Sequence, residues 1–227
     1  MHTAHPGSPV TAVRTRGDAW LAVAAAAAVV ALLGWAVAAQ WSPVLRVDRA
    51  VSDALYAGDD RAGWLESALQ VATAPGLSAV RGVVVLPVLA WLLLHRAWWT
   101  AAWVVTAAGL VGPLTAGLKQ LVGRQRPQFA EGGARYETLS FPSGHSSGIA
   151  CLVTVLLVLA WPRLTSSARR VWLGVGLALV LLVGLTRMWL GVHFLSDVLG
   201  GWAVGAGWTL LVALVFGGLP GGRAALR

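Results

Sequence analysis

Three short segments of this chain carry residues suited to anion chemistry. KQLVGRQRP contains Lys119, Arg124 and Arg126; FPSGHSSG contains Ser143, Gly144 and His145; TRMWLGVHFLSD contains Arg187, His193 and Asp197. Arginine offers a planar fork that matches phosphate oxygens, and lysine a compact charge. A glycine at a helix start lets an anion approach free backbone N–H groups. A histidine with a carboxylate four residues on can be held in one tautomer, which leaves its other nitrogen as a nucleophile or base. Each segment also has a simpler reading. The basic cluster can anchor lipid headgroups, Ser143 can be an ordinary helix cap, and the His193–Asp197 pair can be structural.

The elements that carry these segments are apolar. The chain has 227 residues, 57% of them hydrophobic and 11% charged, with a mean hydropathy of +0.72, far from the make-up of a water-soluble domain. Six windows are long enough for helical spans: Ala19 to Gln40, Leu77 to Leu94, Thr100 to Val122, Ser143 to Trp161, Val171 to Leu190, and Phe194 to Phe216. None shows strand alternation, so the predicted fold is all-α, a polytopic membrane helical bundle of about six transmembrane helices. Arg81 falls inside the second window and must snorkel or find a partner.

Residues 1–18 read as a disordered tail, 19–217 as a single membrane domain, and 218–227 as a second tail. The first apolar run exceeds a signal-peptide h-region, which favours a retained anchor over a cleaved leader. Residues 44–73 are too polar to span. Val47, Val51 and Leu55, then Trp64, Leu65 and Leu69, recur at helical spacing, which predicts interfacial helices with their acids on a solvated face. Cys151, the single cysteine, has packing as its expected role.

Alternating the six spans places all three segments at one end of the bundle. Lysines and arginines then divide eight against nine between the two sides, so the positive-inside rule decides orientation only if several outer arginines are held there by chemistry. Both termini are then cytoplasmic and the three segments face outward. Lys119, Arg124, Arg126 and Arg187 with a helix N-terminus would balance the 1.5 to 2 negative charges of a phosphate near neutral pH.

Lys119 followed by Arg126-Pro127, then Pro142-Ser143-Gly144-His145, then Thr186-Arg187 with His193 and Asp197, resembles the three-part signature of the type 2 phosphatidic acid phosphatase superfamily. That superfamily includes lipid phosphate phosphatases, bacterial undecaprenyl pyrophosphate phosphatases and vanadium haloperoxidases. The likeness runs from about Asp48 to the end of the sixth span. Thr186 stands where serine is usual and keeps the hydroxyl.

The resemblance implies His193 as the nucleophile of a phosphohistidine, Asp197 as its orienter and His145 as the acid, then base. Lys119, Arg126, Arg187, Ser143 and Gly144 would bind phosphate, with Arg124 as a possible further contact. It implies no metal or other cofactor, a lipid phosphate drawn from the bilayer as substrate, a bacterial inner-membrane location, and no nucleic-acid partner. The same pocket would also serve a lipid-phosphate flippase or binding protein, or a phosphotransferase. Neither the particular lipid nor the oligomeric state is legible in the sequence.

Overall fold

The computed structural model describes residues 9–58, 60–129 and 138–226, with side chains from residue 16 onward. Eight α-helices follow one another: α1 (Pro9–Ala38), α2 (Ser42–Leu55), α3 (Gly63–Thr73), α4 (Ser78–Leu94), α5 (Trp98–Val122), α6 (Gly144–Ala160), α7 (Ser166–Trp189) and α8 (Leu195–Phe216), and the described residues contain no strand. α1, α5, α6, α7 and α8 are long and apolar enough to cross a bilayer. The 17-residue α4 is too short to do so alone, and together with α3 it forms a pair bent by 44°. The expected six spans are therefore five, with this bent pair as the sixth. The molecule is a multi-pass membrane protein whose outward faces carry exposed Leu86, Leu94, Leu121, Val171 and Val215, a surface suited to lipid.

α8 is the central element, packed along α6, α1 and α5. Glycines permit the closest of these approaches. A Cβ at Gly201 would lie 2.6 Å from the Ser143 carbonyl oxygen, and one at Gly205 would collide with the Ser147 carbonyl and Ala150. The small-residue spacing thus serves packing inside the bundle. Its effect is to press the first turns of α6 and α8 together, which brings His145 and Asp197 to one end. Deeper in the bundle Trp103, Val104, Ala107 and Val111 of α5 meet Leu92, Cys151, Val155 and Val212, so Cys151 is buried in the core, as expected.

Three expectations for the polar segments change. Residues 9–18, read as tail, already belong to α1, while residues 1–8 lie outside the described set. Residues 218–226 are not a loose tail: Leu219 and Ala224 are buried, Thr100 Oγ1 donates to the Ala224 carbonyl at 2.8 Å, and the Arg223 guanidinium stacks on Trp99. α2 forms where expected but turns Asp48 and Ser52 inward while Val47 stays exposed. An acid placed on a solvated face by periodicity is thus one of the most buried groups in the protein.

Candidate active site

α5 stops at Gly123, whose φ of +68° suits glycine and whose N–H caps the Lys119 carbonyl at 2.9 Å. Lys119, on the last turn, donates through Nζ to the carbonyls of Leu139 and, at 3.0 Å, Ser140. The chain leaving the helix then sends Arg124 and Arg126 in different directions.

Arg126 faces His193. Its Nη1 lies 3.2 Å from His193 Nε2 and 2.9 Å from the Val192 carbonyl, and its Nε and Nη2 hold Thr138. On the other side of the ring, His193 Nδ1 lies 3.3 Å from Asp197 Oδ2. Arginine can only donate, so Nε2 is the acceptor and Nδ1 carries the proton given to Asp197. Burial pushes the His193 pKa down to about 3, and Arg126 and Arg187 push the same way against Asp197. The imidazole is neutral, with a lone pair on Nε2.

The His193–Asp197 pair forms across the start of α8, with His193 before the helix and Asp197 in its first turn. His193 precedes α8 in the turn closed by Gly191 (φ +68°). Phe194 is the N-cap, and Asp197 Oδ2 reaches back to accept the Phe194 N–H at 2.9 Å. The helix start therefore fixes the carboxylate, and the carboxylate fixes the imidazole. Ser140 Oγ also donates to Asp197 Oδ2.

Arg124 is the correction among the expected phosphate contacts. Its Nη1 donates to Asp197 Oδ1 at 2.9 Å and its Nη2 to Asp48 Oδ2 at 2.6 Å, while its plane lies 3.9 Å above the Phe194 ring. Asp48 in turn accepts from the Ser196 N–H at 2.8 Å and the Ser196 hydroxyl at 2.6 Å. With both terminal nitrogens on carboxylates, Arg124 stands behind Asp197, on the side away from His193. It ties α2 to the start of α8.

The remaining predicted residues converge from α6 and α7. Ser143 caps α6, its Oγ 3.4 Å from the Ser146 N–H, and its own N–H donates to the Asp197 carbonyl at 2.9 Å. It is fully buried, whereas Gly144 is exposed at the helix start. His145 is half-buried and within electrostatic reach of Arg187, Arg126 and Lys119. Arg187, on the last turn of α7, is buried and donates to Thr73 Oγ1 at 3.3 Å. The Thr186 hydroxyl is turned back onto the Val183 carbonyl. Asp48, Ser140 and Thr73 were not singled out from sequence, since nothing local marks a lone acid or hydroxyl whose partner is far away in the chain. Among the described residues no group of three or more His, Cys, Asp or Glu side chains gathers as a metal cage.

The model of the PAP2 superfamily matches residues 97–219. Phosphatidylglycerophosphatase B of Bacillus subtilis (strain 168) is 33% identical over 173 residues, 75% of this chain and 83% of that protein. A lipid A 1-phosphatase of Rhizobium johnstonii is 33% identical over 129 residues, 52% of this chain and 48% of the relative, so the chain spans about half of that protein. The crystal structure of a transmembrane PAP2-type phosphatidylglycerolphosphate phosphatase from Bacillus subtilis aligns with a TM-score of 0.67 at 31% identity, covering 81% of this chain and 92% of that one. That of Aquifex aeolicus LpxE aligns at 0.53 and 21% identity, over 76% and 95% of the respective chains, a likeness of fold. With the matched region holding every predicted catalytic and phosphate-contacting residue, and a relative aligned over most of its length, the chain belongs to the PAP2 superfamily.

Proposed function

We propose that this hydrolase removes a terminal phosphate from a membrane lipid, a phosphomonoester or a pyrophosphate, through a phosphohistidine on His193. The observation that carries the reading is the neutral, buried His193. Its Nδ1 proton is committed to Asp197, and its Nε2 is aimed at Arg126 among Lys119, Arg187 and the start of α6.

In the first step Nε2 attacks phosphorus as the bond to the leaving oxygen breaks, and His145 gives that oxygen a proton. Lys119, Arg126, Arg187 and the Gly144 N–H hold the three equatorial oxygens, in place of the carbonyls, hydroxyls and imidazole that these cations now meet. Asp197 stabilises the positive charge that develops on the ring. In the second step His145 takes a proton from water, water attacks phosphorus, and inorganic phosphate leaves with His193 restored.

The relatives support a lipid phosphate as substrate, since they are named for phosphatidylglycerophosphate and for lipid A. The eight arginines at the opposite end support placement of the active end on the extracytoplasmic face of a bacterial inner membrane, because the arginines of the active end are held there by phosphate binding rather than by charge sidedness.

His193→Ala and His145→Ala, purified in detergent, test the chemistry. His193→Ala should lose roughly 10³-fold or more in phosphate release. His145→Ala, given 32P-labelled substrate with a good leaving group, should accumulate an acid-labile, base-stable phosphoprotein. Full phosphate release by His193→Ala would refute the assignment.

A further inference from the structure

Arg81 lies one turn into α4 and is 9% exposed. Its Nε donates to the Ala108 carbonyl of α5 at 3.2 Å. Among the described residues it meets no carboxylate, and its terminal nitrogens have no acceptor. One neutral hydrogen bond leaves most of the donors of a guanidinium for another acceptor, and the terminal nitrogens open onto accessible space where a ligand can reach them.

The surroundings make room for one. A Cβ at Gly148 would lie 2.6 Å from the Gly76 carbonyl oxygen and 2.7 Å from Arg81 Nη1, so glycine there lets the guanidinium lie directly against α6, one helical turn beyond Gly144. A cavity of about 260 Å³ is lined there by Arg81, Thr115, Lys119, His145 and Ser147. Arg81 and Ser78 also line a second opening of about 260 Å³ that runs between α4 and α5 past Val85, Leu89 and Val105. Arg81 therefore stands at the neck between the chamber that contains Lys119 and the proposed acid and a groove whose wall of Val85, Leu89 and Val105 is fit for a lipid tail.

We propose that Arg81 binds a second anionic phosphate on the leaving-group side, so that this protein selects lipids carrying two phosphate groups over simple phosphomonoesters. The inference rests on the function proposed above: with the terminal phosphate at His193, the leaving oxygen is at His145, and the part of the substrate passing Arg81 links that oxygen to the tail. In a polyprenyl diphosphate this part is the lipid-linked phosphate, and in phosphatidylglycerophosphate it is the phosphodiester. In phosphatidic acid it is uncharged glycerol. A fork of N–H donors in a low-dielectric neck favours the first two.

The experiment measures kcat/KM for phosphatidylglycerophosphate and a polyprenyl diphosphate, each relative to phosphatidic acid, in mixed micelles with wild type, Arg81→Gln and Arg81→Lys. In Arg81→Gln the relative preference should fall tenfold or more for at least one two-phosphate lipid, mainly through KM, and Arg81→Lys should recover part of it. A fall confined to the diphosphate identifies the adjacent phosphate as the ligand; a fall confined to the other lipid identifies the spaced diester. Should Arg81→Gln not yield folded protein, Arg81→Lys decides, because loss of the fork should lower the ratio at least threefold. Ratios within twofold of wild type for both lipids overturn the proposal. A wild-type protein releasing phosphate from none of the three lipids overturns the function itself.

Discussion

At the scale of single residues, the chain Asp48–Arg124–Asp197–His193 turns one surface helix into part of the machinery. Asp48 is 1% exposed and Asp197 fully buried, so removing Arg124 strands two carboxylates away from water, whereas removing Asp48 leaves Arg124 paired with Asp197 and takes an acceptor from Arg124 Nη2 and the Ser196 N–H. Arg124→Ala should cost about 3–5 kcal/mol of stability, as broken buried pairs do, measurable as a lowered melting temperature in detergent. Asp48→Asn in combination with Ser196→Ala should deviate from additivity by about 0.5–3 kcal/mol; strict additivity would show that the contact does not couple them. His193 also has a signature in pH. Its folded pKa of about 3 lies below the ordinary 6.5, so between these values the unfolded chain binds a proton that the folded one does not. Stability contributed by the neutral ring is therefore lost as pH falls from 6.5 towards 3. His193→Gln should flatten this part of the melting temperature against pH curve, and identical slopes would contradict it.

At the scale of elements, α6 and α8 meet through glycine, and the proposed active end depends on that closeness. Gly205→Ala places a methyl group against the Ser147 carbonyl and Ala150; overpacking of this kind costs about 1–3 kcal/mol, with activity falling as Asp197 moves from Ser143. Gly174→Ala, on the exposed face of α7 where nothing lies within 4 Å, should instead stabilise by about 0.5–1 kcal/mol. Melting curves of the two should shift in opposite directions. This contrast marks what could be read in advance. The five long spans and the Gly123 stop follow from local pattern, because hydropathy and glycine at a helix end act over a few residues. The inward turn of α2 and the pairing of Asp48 with Ser196 do not, since that contact joins residues 148 positions apart and a polar face looks the same in sequence whether it meets water or an arginine. Arg124 was misplaced for the same reason: its neighbours Lys119 and Arg126 suggested a shared anion, whereas its partners were the two carboxylates.

At the scale of the molecule, the proposed active end lies where α5 and α7 finish and α4, α6 and α8 begin. Gln125 is exposed there, and the sole cysteine is buried, so Gln125→Cys offers a reporter with little background. In intact cells an impermeant maleimide should label it from outside; labelling only after permeabilisation would reverse the proposed orientation. Phosphate release should also persist in EDTA, and a loss restored by Mg2+ would contradict the histidine mechanism. The opposite end bears on how the protein is made. Thr100 waits for the Ala224 carbonyl, 124 residues further along, and Gly218 lies so close to the Trp103 indole that a Cβ there would sit 2.9 Å from its Nε1. During synthesis α5 enters the membrane with this indole uncovered, and that end of the core closes only after α8 has emerged and the chain has folded back over it. With the other twelve tryptophans replaced by phenylalanine, a chain halted just after Phe216 should show Trp103 fluorescence still open to quenching by lipid-borne nitroxide, and the full chain should not.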